Sequence, residues 1–134
     1  MLVQNLPLFK KSFVEISLDE ENQVVIAKWI GFLRLEDVKQ GCEEVNRLLS
    51  KHKLSKHLSD HTQLKVLSKD VQEYLTQKWF SDAEALGLRK LAVQMAEDVF
   101  AQASVSKVNM QASVRSLQIH NFNSYTQCYG WLNA

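Results

Sequence analysis

Residues 13–30, Phe13-Val14-Glu15-Ile16-Ser17-Leu18-Asp19-Glu20-Glu21-Asn22-Gln23-Val24-Val25-Ile26-Ala27-Lys28-Trp29-Ile30, decide the fold. Phe13 to Leu18 sets Val14, Ile16 and Leu18 against Phe13, Glu15 and Ser17, the period-two pattern of a half-buried strand. Asp19-Glu20-Glu21-Asn22 is a turn. Val24 to Ile30 is then a nearly continuous β-branched and apolar run, which predicts a strand covered on both faces. The short link makes the two an antiparallel hairpin, and a strand covered on both faces calls for helices packed on a sheet.

The rest of the chain supplies those helices. After Gly31 the period changes: Val38, Cys42, Val45, Leu48 and Leu49 recur at helical spacing, with Glu36-Asp37 in the first turn, where the helix dipole favours negative charge. His57 to Asp60 reads as a short strand. Ser68 is the expected N-cap of the next helix, with Asp70 in its first turn. That helix carries Val71, Tyr74, Leu75, Trp79 and Leu86 and stops at Gly87. Leu88 to Met95 returns to strand, a helix follows from about Glu97 to Asn109, and Ser116 to Phe122 is the last strand. Asn123 or Ser124 caps a closing helix with Tyr125, Cys128, Trp131 and Leu132 on one face. The order is ββαβαβαβα, an α/β domain with a mostly parallel sheet and one antiparallel strand, because strand–helix–strand links of this length join parallel neighbours by right-handed crossovers. The domain is expected over residues 13–134, behind an apolar N-terminal arm at residues 1–12 (Leu2, Val3, Leu6, Leu8, Phe9).

Bulk properties narrow the function classes. A chain of 134 residues, 46% hydrophobic and 23% charged, is the size and composition of one globular core. Its net charge of +1, with acids and bases interspersed, lacks the basic stripe of a nucleic-acid binder. The one basic cluster, Lys51-His52-Lys53 with Lys56-His57, falls at a helix end, where the dipole favours it. Gly31, Gly41, Gly87 and Gly130 stand singly, so no phosphate-cradling loop is present. No apolar run approaches the roughly 20 residues of a membrane span. Lys10-Lys11 follow the apolar start and no small-residue cleavage site appears, which speaks against a signal peptide and for a cytoplasmic protein. Cys42 and Cys128 sit on predicted helix faces without paired spacing, as free thiols in a reducing compartment would, although a single bridge is left open.

Chemistry-bearing residues are sparse. His52, His57 and His61 are expected on a helix end, a strand and a loop, solvated or capping, with no i, i+4 pair to hold a metal. Asp60-His61-Thr62 falls at the carboxyl end of a strand, the edge at which open parallel sheets receive ligands. An Asp and a His there can bind or move a proton, but no nucleophile accompanies them, and no catalytic residue or cofactor is expected. Trp79 and Phe80, adjacent on a helix and so about 100° apart, are not expected to be equally buried.

From the third strand onward the chain resembles STAS domains, the anti-sigma factor antagonist (SpoIIAA-like) fold. In that family the third strand ends in an aspartate, followed by a short loop with apolar positions and an Asp-Ser-Ser-Gly-like stretch opening a helix. Here Asp60 matches the aspartate, Leu64 the loop's apolar position, Val66-Leu67 the apolar pair, and Ser68-Lys69-Asp70-Val71 the helix opening. The serine phosphorylated in anti-sigma antagonists corresponds to Lys69, which cannot form a phosphate ester, so that switch does not carry over. Trp29 with Gly31-Phe32, Leu58-Ser59-Asp60, Lys78-Trp79-Phe80, and Phe122 leading to Trp131-Leu132 resemble a bacterial subgroup of uncharacterised STAS/SEC14-like proteins.

The resemblance implies a non-enzymatic regulatory or protein-interaction module that docks the loop from Asp60 to Lys69 and the helix after it onto a protein partner. Asp60, His61, Thr62, Ser68 and Lys69 are the residues expected to face that partner or a ligand, and the apolar arm is expected to cover a second copy in a homodimer. The alternative is a small-molecule or lipid-binding domain, with a pocket between the Trp79-Phe80 helix and the sheet. No nucleic acid, membrane span or metal is expected.

Overall fold

In the computed structural model, which describes residues 7–134, a three-residue strand β1 (Phe9–Lys11) precedes the hairpin of β2 (Val14–Asp19) and β3 (Val24–Gly31). The hairpin turn is held by Asp19, whose carboxylate accepts from the Asn22 backbone N–H (3.0 Å) and side-chain amide (2.9 Å). Then follow α1 (Leu35–His52), β4 (Lys56–Leu64), α2 (Lys69–Tyr74), a π-helical turn (Leu75–Trp79), α3 (Phe80–Ala85), β5 (Lys90–Gln94), α4 (Val99–Gln111), β6 (Gln118–Phe122) and α5 (Tyr125–Leu132). α2, the π turn and α3 run on without a break, so the order ββαβαβαβα holds from β2 onward. The six strands lie side by side in sequence order. β1–β2 and β2–β3 are antiparallel, and β3 to β6 are parallel.

β1 lies within the segment read as an arm. Phe9 pairs with Ile16 and Lys11 with Val14, so this part of the segment extends the sheet. Leu2, Val3 and Leu6 fall outside the described residues.

The sheet separates two cores, and the alternation of each strand assigns its side chains to one or the other. Val25, Ala27 and Trp29 of β3, with Leu91 and Val93 of β5, face the helices from α1 to α4. Val24, Ile26, Leu58 and Ala92 point the other way, onto Cys128 and Leu132 of α5. This double cover explains why β3 reads as an unbroken apolar run. On α1 the stripe Val38, Cys42, Val45, Leu48 and Leu49 is buried as its spacing requires. Gly41 lies in that stripe because the Trp29 ring fills the space: an added Cβ would stand 2.9 Å from Cζ3. Both cysteines are free and buried.

Two local expectations are corrected. β4 is nine residues long, not four, and carries His61 within the strand. Trp79 and Phe80 are both buried, 6% and 3% exposed. The helix that carries them is covered on more than one side: the Trp79 indole N–H donates to Asn46 Oδ1 of α1 at 3.2 Å, and the π turn packs against α4.

Candidate functional site

The carboxyl edge of the parallel strands is shaped by an irregularity in β4. Lys28 pairs with Asp60, but Ile30 pairs with Gln63, so three steps on β4 oppose two on β3. A bulge of this kind resets the alternation. His57, Ser59 and His61 face the α1–α4 side, and without the extra residue Leu64 would point to the α5 side; instead it joins the main core.

Asp60 secures the bulge from the opposite face. Its Oδ1 accepts from Thr62 N–H (2.9 Å) and the Thr62 hydroxyl (2.7 Å), and its Oδ2 accepts from the Tyr125 hydroxyl of α5 (3.0 Å). Burial, with Asp60 beside it, pushes the Tyr125 hydroxyl pKa well above its ordinary value. Asp60 is therefore an internal tie, 5% exposed, and Thr62 is half-buried beside it.

His61 lies on the other side of the sheet. Its Nε2 is 2.8 Å from Ser59 Oγ, while Nδ1 is shielded from solvent and has no hydrogen-bond partner. Burial lowers its pKa to about 4, so the ring is neutral near pH 7. His57 is buried: its Nδ1–H donates to the Val25 carbonyl at 2.8 Å, and burial lowers its pKa to about 4. His57 is thus a core group and His61 a half-buried residue with a shielded Nδ1, which corrects the expectation of solvated or capping rings. Because Asp60 and His61 point to opposite faces, they do not form an acid–base pair. Among the described residues no cluster of His, Cys, Asp and Glu could hold a metal. Burial raises the Cys42 pKa strongly and pushes that of Cys128 up to about 11, so both stay thiols near neutral pH.

Beyond β4 the chain turns outward. Lys65 N–H donates to the Gly31 carbonyl (3.0 Å) and its ammonium lies 3.7 Å from Asp98, which ties the ends of β3, β4 and β5 together. Ser68 occupies the N-cap position of α2, but its hydroxyl turns to Asp70, and the Asp70 carboxylate accepts from Val71 N–H. Lys69 is exposed. Around this edge stand large apolar side chains in solvent: Phe32 (62% exposed), Val66 (39%), Val99 (65%) and Phe100 (72%). Phe32 and the Val99-Phe100 pair were not singled out as site residues. Their signal is legible afterwards, as bulky apolar residues placed directly beyond a strand end or in the solvent-facing first turn of a helix.

Behind the edge, between the sheet and the α2–α3 helix, lies an apolar cavity of about 70 Å³ whose lining includes His61, Trp79 and Phe80. An open groove of about 340 Å³ runs between α4 and the ends of β5 and β6. The structure thus brings His61, Trp79 and Phe80 together, and places Asp60 on the far face and Ser68 and Lys69 on the outer rim.

No protein-family model and no curated protein matches the chain. Among solved structures it is similar to an uncharacterised protein of the DUF3478 family from Shewanella loihica PV-4, described as having a SpoIIAA-like fold. The likeness covers 98% of this chain and 99% of that one, with a TM-score of 0.57 and 17% sequence identity. The fold is SpoIIAA-like. Among the described residues no helix is long and apolar enough to cross a membrane.

Proposed function

We propose that this SpoIIAA-like domain is a non-enzymatic regulatory module that docks a protein partner on the carboxyl edge of its sheet, with the loop from Asp60 to Lys69 at the centre. The observation that carries the reading is the set Phe32, Val66, Val99 and Phe100, four exposed apolar side chains from two loops and the first turn of α4 on one edge. Exposed apolar residues are ordinary singly, but grouped and rimmed by charge they mark interaction surfaces. Here the rim is Lys65, Lys69, Asp70 and Asp98. In the resemblance to anti-sigma factor antagonists Lys69 corresponds to the phosphorylated serine, so docking in this chain is set by a fixed positive charge instead of a switchable negative one.

The test is site-specific photocrosslinking in the native cell. A photoreactive residue in place of Val66 or Phe100 is expected to give discrete protein adducts, lost when Phe32 is replaced by Asp. The same residue in place of Leu86, an exposed apolar position at the opposite end of the fold, is expected to give none. Equal adducts at all three positions, or none at positions 66 and 100, would overturn the reading.

A further inference from the structure

Two concavities meet at His61. The inner one, about 70 Å³, has an apolar wall built from Trp29, Leu64, Leu75, Trp79 and Phe80. The open one, about 340 Å³, has Met95, Val99, Gln102 and Asn121 around its mouth. His61, Val93 and Val105 belong to both linings. Those three residues stand as a partition between the two, and the imidazole is the one polar side chain among them. Ser59 occupies one ring nitrogen, and Nδ1 is buried without a partner. Orphaned buried polar atoms are rare in folded proteins and call for an explanation.

We propose that the two concavities are one binding site for a small amphipathic molecule with a single carboxyl or hydroxyl group, whose polar group pairs with His61 Nδ1 and whose hydrocarbon tail enters the inner cavity. The groove lies within the roughly 300–1,000 Å³ range of small-molecule sites. The inner part is about half of the ~150 Å³ engineered apolar cavity that admits benzene, so about three or four carbons fit there. No Lys or Arg lines either concavity, which disfavours a multiply charged ligand, because a buried charge needs a partner. The neutral His61 ring donates or accepts at Nδ1 according to how the Ser59 hydroxyl turns, so it suits an acid or an alcohol alike. The π turn gives a second, independent indication. Such widened turns are frequent at functional sites, and this one supplies Leu75 and Trp79 to the cavity wall. Val99 is common to the groove and the proposed docking edge. The readouts at His61 and Asn109, however, lie inside the domain, so they can fail while the crosslinks at positions 66 and 100 stand, and the reverse.

The experiment titrates unbranched carboxylic acids and primary alcohols of about four to ten carbons into the isotopically labelled full chain. The readouts are the imidazole nitrogens of His61 and the side-chain amide of Asn109, a residue of the inner cavity's lining whose Nδ2 is also buried without a partner. Saturable shifts at both groups are expected, with affinity rising with chain length until the cavity is filled. His61→Leu is expected to weaken binding about tenfold, the loss of one buried polar contact. Val93→Phe, which thickens the partition, should abolish the Asn109 shift. His61→Gln replaces His61→Leu if the latter does not fold, and Leu86→Ala should bind as the parent does. Comparing acids with alcohols identifies the head group. Absence of binding across the series at millimolar concentration, shifts confined to the groove mouth with Asn109 unmoved, or unchanged affinity in the His61 variants would each overturn the proposal.

Discussion

His57 shows how far a residue's surroundings outweigh its type. It is 2% exposed, bound to the Val25 carbonyl and set edge-on to Trp79 at 6.0 Å. In the unfolded chain a histidine titrates near pH 6.5, whereas burial lowers His57 in the folded chain to about 4. Between those values the unfolded state takes up protons that the folded state refuses. The contribution is therefore complete above about pH 6.5 and is lost as the pH falls toward 4, on the order of 2–3 kcal/mol. His61 acts in the same sense. Urea midpoints measured from pH 7 to 4.5 should fall steadily, and His57→Asn, which keeps a donor toward Val25, should remove about half of that fall. An unchanged pH profile in the variant would count against the assignment. The signal for burial was present in the sequence, since residues 57, 59 and 61 share one phase of a strand whose other phase holds Leu58. The inward direction of that phase was not legible, because it depends on which face the long helices cover.

At the scale of elements, the most exposed to test is α5, tied to the sheet by two tyrosines one turn apart. Tyr125 donates to Asp60, and Tyr129 donates to Asp19 Oδ2 at 2.8 Å. Burial works to raise the Asp19 pKa, but the hydrogen bonds from Asn22 and Tyr129 outweigh it and hold the carboxyl below its usual range. Tyr125→Phe and Tyr129→Phe should each cost about 1 kcal/mol, since each aspartate keeps other donors. In the double variant, amide hydrogen exchange in α5 should quicken while that in α1 stays unchanged; equal acceleration in both helices would mean global destabilisation instead of a loosened α5. The apolar face of α5 and the stripe of α1 were readable because both are local periodicities. The tyrosine–aspartate ties span 65 and 110 residues of sequence and have no local trace. The β4 bulge was hidden for another reason. A bulge replaces the period by which strands are recognised, so Thr62 and Gln63 read as the start of a loop.

For the molecule as a whole, element order and fold family followed from the sequence because each helix and strand declared its own period. What escaped was the margin of the sheet. β1 has three residues, two of them lysines, too few to show a pattern, and it disappeared into the apolar segment before it. Its place beside β2 changes the expectation for truncation. A chain lacking residues 1–11 is expected to associate more than the full chain, because removing β1 bares the six-residue β2. Native mass spectrometry of the two forms at matched concentration decides this, and fewer oligomers in the shortened chain would favour the arm as a dimer contact. Among the described residues β1 is the last strand on its side, with Lys10 and Lys11 both exposed. Short, lysine-bearing margins of this kind discourage one sheet from templating the next. The quantity β1 governs is thus colloidal: the concentration to which the protein stays dispersed before copies begin to stack edge to edge.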